Sequence, residues 1–163
     1  MSPKSRRSPI PPREYSSPAC FVHEVDVEKI LSGTPDVRIK RIYENAAASD
    51  GLRVLIDRLW PRGVRKENAE LHHWARDLAP SPRLRQWFGH DPKRFAEFRR
   101  RYSAELAEKS EELSALARHA TQEPVTLLYG AKDPEVNHAI VLKNEILRFA
   151  AEARVRGGGK RYI

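Results

Sequence analysis

Charged and polar side chains follow an apolar run near the middle of this 163-residue chain. Residues 54–63 read VLIDRLWPRG, so the apolar run leads directly into Asp57 and Arg58 and, after a turn, Arg62. Open α/β folds place ligand sites at such points, because side chains at the carboxyl ends of buried strands face the crevice between loops. The two arginines suit a phosphate or carboxylate, and Asp57 can orient a ligand or move a proton.

A second run of the same kind occupies residues 125–138, which read VTLLYGAKDPEVNH. A strand, a turn of small residues and a helix start leave free backbone amides at the positive end of the helix dipole, which suits an anion. Lys132 adds charge, and Asn137 and His138 lie near the first turn. Against this, Asp133 is a candidate cap that competes for the same amides, and the turn lacks the glycine density of a nucleotide-binding loop.

The order of elements brings these two segments together. Strands over 52–59 and 125–129 are separated by several helices, and a long helical crossover suits parallel neighbours connected with the right-handed sense. The polar groups that follow the two strands then emerge at one edge of the sheet. We therefore predict one shared site, with Asp57 and His138 as catalytic residues and with Arg58, Arg62, Lys132 and Asn137 as ligand-binding residues.

Each of these residues also has a plainer interpretation. Asp57 and Arg58 can form an ion pair at a strand end. Trp60 is typical of a packing residue, and His138 can be a neutral histidine that hydrogen-bonds locally. Three further histidines are candidate metal ligands: His72, His73 and His90. They lack the carboxylate spacing of a metal motif, so we predict neither a metal nor a cofactor.

The remaining patterns predict a small α/β domain. Alternating residues over 37–43 are typical of an edge strand. Helical spacing predicts four further segments: 67–78, a short helix from Pro82, a long helix from 92 to about 119, and a last helix from 135 to about 153. The expected fold is a single α/β domain with a small, mainly parallel sheet, layered as in Rossmann-like folds, with helices on both faces.

The two ends of the chain differ in composition from this domain. Residues 1–20 contain five prolines and little apolar surface, which predicts a disordered arm that is dispensable for folding. The α/β domain is expected over 21–153, beginning with a short helix over 21–31. Residues 154–163 form a basic tail that contains glycine.

The distribution of charge along the chain limits the classes of partner that the protein is expected to bind. Of the formal net charge of +8, four units belong to residues 154–163, and residues 36–153 carry 21 basic and 18 acidic residues. Weak, non-specific nucleic-acid binding through the basic ends is therefore expected. No apolar run is long enough to span a bilayer, and the single cysteine, Cys20, makes a reducing cytoplasm the simplest location.

Three strings carry a resemblance to a known family. DGLRVLIDRLWPRGV, DLAPSPRLRQWFGHDPKRFAEFRRRYSAEL and TLLYGAKDPEVNHAIVL lie within residues 37–148. Together they resemble the YeaO-like family, a bacterial and archaeal domain of unknown function numbered 488. The resemblance implies a small α/β domain and brings no established activity, cofactor or substrate. In a related branch the strand corresponding to VTLLY leads into a cysteine-containing motif that ends in Cys-His. This chain has Asn137 and His138 there and no cysteine nearby, which puts the thiol or metal chemistry suggested for that branch in doubt for this chain.

Three functional hypotheses follow. The first is a cytoplasmic protein that binds a small anionic ligand, such as a nucleotide or phosphorylated metabolite, at the carboxyl edge of the sheet, with or without catalysis. The second is a nucleic-acid-binding module that uses the arginine-bearing long helix and both ends of the chain. The third is an interaction protein without chemistry. The patterns do not specify an oligomeric state.

Overall fold

A computed structural model describes residues 33–158 of the chain. The predicted arm over 1–20, the predicted helix over 21–31 and residues 159–163 of the predicted tail lie outside the described residues. The described part is an α/β domain built on one small parallel sheet, as predicted.

Four parallel strands form the sheet in the order β1-β4-β2-β3. They are β1 (Val37–Arg41), β2 (Leu52–Leu55), β3 (His73–Trp74) and β4 (Val125–Tyr129). β4 lies between β1 and β2. Its Leu127 pairs with Ile39 of β1 on one side and with Val54 of β2 on the other. The prediction that the strands near 52 and 125 are parallel neighbours is therefore confirmed, and β1 is an edge strand as its alternating pattern indicates.

The described part of the chain has five α-helices packed around the sheet. They are α1 (Lys66–Ala69), α2 (Pro82–Phe88), α3 (Phe95–Ala107), α4 (Ser110–Ala120) and α5 (His138–Gly158). Ser81 caps α2 by accepting a hydrogen bond from Leu84 N at 3.2 Å, and Pro82 occupies the first turn, as predicted. Within residues 33–158, no helix combines the length and the apolar composition needed to cross a bilayer.

Both faces of the central strands are buried. Val54, Ile56 and Leu127 belong to a large core that includes the apolar stripes of α3, α4 and α5. Leu55 and Leu128 point to the other face, where a smaller core is closed by Ala69 of α1 and by the residues around it. This two-sided cover explains why β2 and β4 are apolar runs rather than alternating patterns.

The predicted helix over 67–78 is wrong. α1 ends at Glu70, whose φ of 47° and ψ of 47° are left-handed, and the chain then runs along β2 as the short strand β3. His72 N donates to Arg53 O at 3.0 Å, and Ala75 N donates to Leu55 O at 2.8 Å. The open hydrogen-bonding edge of β2 therefore outweighs the helical spacing of this segment.

Other boundaries also shift. The predicted long helix is divided into α3 and α4 at Glu108 and Lys109, whose amides donate to carbonyls only three residues back, so the α-helical ladder tightens and ends there. β2 ends at Leu55 rather than at residue 59. α5 continues to Gly158, five residues past the predicted end of the last helix at about 153, and Arg154 of this last stretch donates to Gly33 O.

Candidate functional site

Asp57 is the centre of the candidate site at the carboxyl edge of the sheet. It follows β2, and its Oδ2 accepts a hydrogen bond of 2.8 Å from Gly130 N, just after β4. A Cβ at position 130 would lie 2.8 Å from the same oxygen, so only glycine permits this close approach. The carboxylate therefore ties together the two loops in which the sequence predicts the site.

His138, at the start of α5, contacts the same carboxylate. Its Nε2 lies 3.0 Å from Asp57 Oδ1 and 3.2 Å from Ile56 O. The ring is better directed at the Ile56 carbonyl, so Asp57 Oδ1 is buried without a well-directed hydrogen bond from residues 33–158. A proton on Nε2 is donated to Ile56 O and leaves Nδ1 as the acceptor nitrogen. The structure therefore brings the two predicted catalytic residues together.

Tyr102 of α3 forms the inner wall beside this pair. Its ring centroid lies 6.4 Å from that of His138, at an interplanar angle of 63°. Burial, together with the charges of Glu105 and Asp57, raises the pKa of Tyr102 well above its usual range. The hydroxyl thus stays protonated and donates to Leu78 O at 2.5 Å. Tyr102 therefore packs against the His138 ring from the core side.

The loop after β2 is held in one conformation by its tryptophans. Trp74 Nε1 donates to the backbone carbonyl of Asp57 at 2.7 Å, and Trp60 Nε1 donates to Val64 O at 2.7 Å. The two rings meet edge to face, with centroids 5.4 Å apart. Trp60 is therefore a packing residue, and it fixes the turn that carries Arg58 and Arg62.

Arg58 does not form the ion pair with Asp57 that the sequence allows. Its Nε donates to Pro80 O at 3.2 Å and its Nη2 to Ala79 O at 3.3 Å. Both carbonyl-bearing residues are buried. Arg58 thus links the site to the segment before α2, and Nη1 is the guanidinium nitrogen that donates to no group within residues 33–158.

Arg58→Ala is expected to lower the free energy of unfolding by about 1–3 kcal/mol, because two buried carbonyls lose their donor. Urea unfolding followed by circular dichroism measures the change. Arg83→Ala removes an exposed arginine of α2 and is the matched control, with an expected change within about 0.5 kcal/mol. An unchanged stability of Arg58→Ala would contradict this role for the two hydrogen bonds.

Asn137 and Asp133 occupy the capping positions before α5. Asn137 is fully buried; its Oδ1 accepts from Ile140 N at 3.1 Å and its Nδ2 donates to Asp133 O at 2.8 Å. Asp133 Oδ1 accepts from Glu135 N and Val136 N. These side chains satisfy amides that an anion would otherwise bind, and they explain why α5 begins at His138 rather than at the predicted residue 135.

Arg62 and Lys132 are exposed, and neither forms an ion pair within residues 33–158. Tyr43, which follows β1, lies between their loops: its hydroxyl donates to Arg62 O at 3.0 Å, and its ring lies 5.0 Å from the guanidinium carbon of Arg41. Arg41 Nε donates in turn to Ala131 O at 2.9 Å. The sequence prediction missed Arg41 and Tyr43, although β1 is parallel to β4 and ends at the same edge of the sheet.

Other features lie away from this edge. A cavity of about 430 Å³ near the amino end of β1 is lined by Thr34, Pro35, Asp36, Val37, Lys143 and Leu147. Residues 33–158 contain no group of three or more His, Cys, Asp or Glu side chains that could hold a metal ion.

Comparison with known proteins agrees with the resemblance that the three sequence strings carry. A family described as "Inactive DUF488-N3 subclade" matches residues 36–160. The chain belongs to this family. It is 45% identical to the uncharacterized protein YeaO of Escherichia coli (strain K12) over 107 residues, which is 66% of this chain and 93% of that protein. It is also 42% identical over 106 residues to the uncharacterized protein Mb3100c of Mycobacterium bovis, which covers 65% of this chain and 89% of the relative. No solved structure matches it.

Membership covers the described domain almost completely. The match over 36–160 spans all four strands and all five helices, including every residue of the candidate site. The resemblance seen in the three sequence strings is thereby confirmed. No activity, substrate or cofactor accompanies the family description or the names of these relatives.

Proposed function

We propose that the protein binds a small anionic ligand, a nucleotide or phosphorylated metabolite, at the carboxyl edge of its sheet. The observation that carries the proposal is the pair of exposed cations, Arg62 and Lys132, on loops that follow neighbouring parallel strands. Neither has an ion-pair partner within the described residues, and loops at this edge are where open α/β sheets bind ligands. Arg58 can add a further donor through Nη1.

In this proposal the ligand is bound without turnover. The family description reads "Inactive", and no serine, threonine or cysteine within residues 33–158 hydrogen-bonds to His138. Asp57, Asn137 and His138 shape and orient the site by fixing the two loops. A proton-transfer role for Asp57 and His138 stays a prediction. We place the protein in the cytoplasm, in keeping with its single cysteine.

Nucleic-acid binding is the second candidate, and one charge cluster favours it. Residues 82–101 contain seven Lys/Arg and two Asp/Glu, and Arg101 lies 4.3 Å from the Trp87 ring. Part of this charge is neutralised, since Glu97 accepts hydrogen bonds from both Arg100 and Arg101. These hydrogen bonds lower the pKa of Glu97 to about 2, so it stays ionised. The surface therefore suits weak, salt-dependent contacts together with the basic end of the chain.

The anion proposal is tested by measuring the unfolding temperature of the full chain against inorganic phosphate, ribose 5-phosphate and nucleotides. At least one of these anions is expected to raise the unfolding temperature, with a dose dependence that saturates as expected for one binding site. Arg62→Ala and Lys132→Ala should each remove the effect without lowering the stability of the ligand-free protein. Arg83→Ala and Lys93→Ala, which remove exposed cations elsewhere, are the matched controls and should retain it.

Three results would contradict the anion proposal. One is that no anion raises the unfolding temperature. Another is that the control variants lose as much of the anion-dependent stabilisation as the site variants do. The third is stabilisation by oligonucleotides alone, steeply dependent on salt and unaffected by Arg62→Ala, which would favour the second candidate.

A further inference from the structure

Exposed apolar side chains are concentrated at the same edge of the sheet. Within the described residues, the large hydrophobic side chains that are exposed are Tyr43 at 49%, Leu59 at 61% and Val155 at 78%. Tyr43 follows β1 and Leu59 follows β2, so two of the three lie on loops at the carboxyl edge. The Tyr43 hydroxyl contacts the backbone of Arg62, so this edge presents an exposed aromatic ring next to a loop that carries an unpaired cation.

The ring of Tyr43 is held in place. Its hydroxyl donates to Arg62 O at 3.0 Å, and the Arg41 guanidinium carbon lies 5.0 Å from its centroid. Arg41 is itself held by its hydrogen bond to Ala131 O, at 2.9 Å. A ring fixed before the ligand arrives loses little conformational entropy on binding, which is the condition under which stacking contributes most.

The charges nearby limit what the ligand can carry. Arg62 and Lys132 are two unpaired cations, whereas Glu44 accepts a hydrogen bond from Arg41 N at 2.8 Å and Asp133 lies next to Lys132. A phosphate monoester with a charge of about −1.5 to −2 matches the two cations. A triphosphate would bring additional negative charge towards Glu44 and Asp133.

We propose that the ligand is a nucleoside monophosphate, with its base against the Tyr43 ring and its phosphate at Arg62 and Lys132. This inference rests on the proposed anion-binding function and specifies that the ligand carries an aromatic base as well as a phosphate. In this arrangement the ring contacts the base and not the phosphate, and the hydrogen bond from its hydroxyl to Arg62 O places it next to the loop that carries Arg62.

Isothermal titration of the full chain tests this inference with the four ribonucleoside 5′-monophosphates and ribose 5-phosphate. At least one monophosphate should bind about tenfold more tightly than ribose 5-phosphate, the fold-change typical of stacking one base on an aromatic ring. Tyr43→Leu should abolish this difference while leaving the affinity for ribose 5-phosphate within about twofold. Tyr43→Phe keeps the ring and should retain at least half of the gain in affinity over ribose 5-phosphate.

The outcomes separate the inference from the function on which it rests. Equal affinities for ribose 5-phosphate and all four nucleotides would overturn the inference and leave anion binding in place. A nucleotide preference that survives in Tyr43→Leu would also overturn it, because the base would then be recognised elsewhere. Lack of binding by all five compounds would overturn both. Urea unfolding of each variant shows whether it folds before titration.

Discussion

Asp50→Ala is expected to lower the free energy of unfolding by roughly 3–5 kcal/mol, because it leaves the guanidinium of Arg53 buried without a counter-charge. The side chains of Asp50 and Arg53 are 8% and 4% exposed and form an ion pair. Asp50 also accepts hydrogen bonds from Ala47 N at 2.9 Å and from Lys40 Nζ at 3.2 Å. Urea unfolding at neutral pH measures the loss.

The control for this result is the exposed ion pair between Arg38 and Asp36, whose side chains are 46% and 43% exposed. Asp36→Ala should change stability by less than about 1 kcal/mol, since solvent screens such a pair. The double variant Asp50→Ala/Arg53→Met should regain much of the loss, because no buried charge is then left unpaired. A double variant as unstable as Asp50→Ala would show that the charge is not the cause.

The same carboxylate makes stability depend on pH in a defined direction. Burial alone raises the pKa of Asp50, but hydrogen bonds from Ala47, Lys40 and Arg53 outweigh burial and leave its pKa below the ordinary value. A pKa lowered on folding gives stability that is present above the unfolded pKa and is lost as pH falls through the folded one. The wild type should therefore lose stability on acidification more steeply than the double variant does.

Gly51→Ala is expected to lower the free energy of unfolding by at least about 3 kcal/mol. A Cβ on Gly51 would lie 2.1 Å from Pro124 O, a backbone atom that also accepts the first hydrogen bond of β2, from Leu52 N. The φ of 64° and ψ of −129° are moreover accessible almost only to glycine, and backbone strain of this kind alone costs about 1–3 kcal/mol. Thermal and urea unfolding check the result.

Gly63 provides the matched control. Its φ is 76°, but nothing lies within 4 Å of an added Cβ, so Gly63→Ala should cost only the strain, about 1–2 kcal/mol. The two variants share a positive φ, and the clash with Pro124 is introduced by Gly51→Ala alone. Similar losses for both would mean that the start of β2 shifts to accommodate the methyl group.

The site itself is a set of contacts that the chain already makes with itself. Asp57 binds Gly130 N and contacts His138, Arg58 binds two carbonyls, and Asn137 and Asp133 cap the start of α5. Arg62 and Lys132 are exposed cations on the same two loops.

The central parallel pair of the sheet and the edge that carries the candidate site could be predicted from the residues alone. The apolar runs of β2 and β4 predicted strands covered on both faces, and the helical segments between them predicted a parallel pair. These features follow from local composition and chain length, which are properties of the printed residues. For the same reason Asp57 and His138 were predicted to meet, and they lie 3.0 Å apart.

The partners of the side chains at the candidate site, in contrast, could be identified only from the folded structure. The partners of Arg58 are backbone carbonyls near residue 80, and the partner of the Tyr43 hydroxyl is a carbonyl at residue 62. Every residue has a carbonyl, so such partners have no signature in the sequence. The strand β3 could not be predicted either, because the apolar residues of its segment have helical spacing. The segment forms a strand by pairing with the edge of β2, which is a tertiary contact.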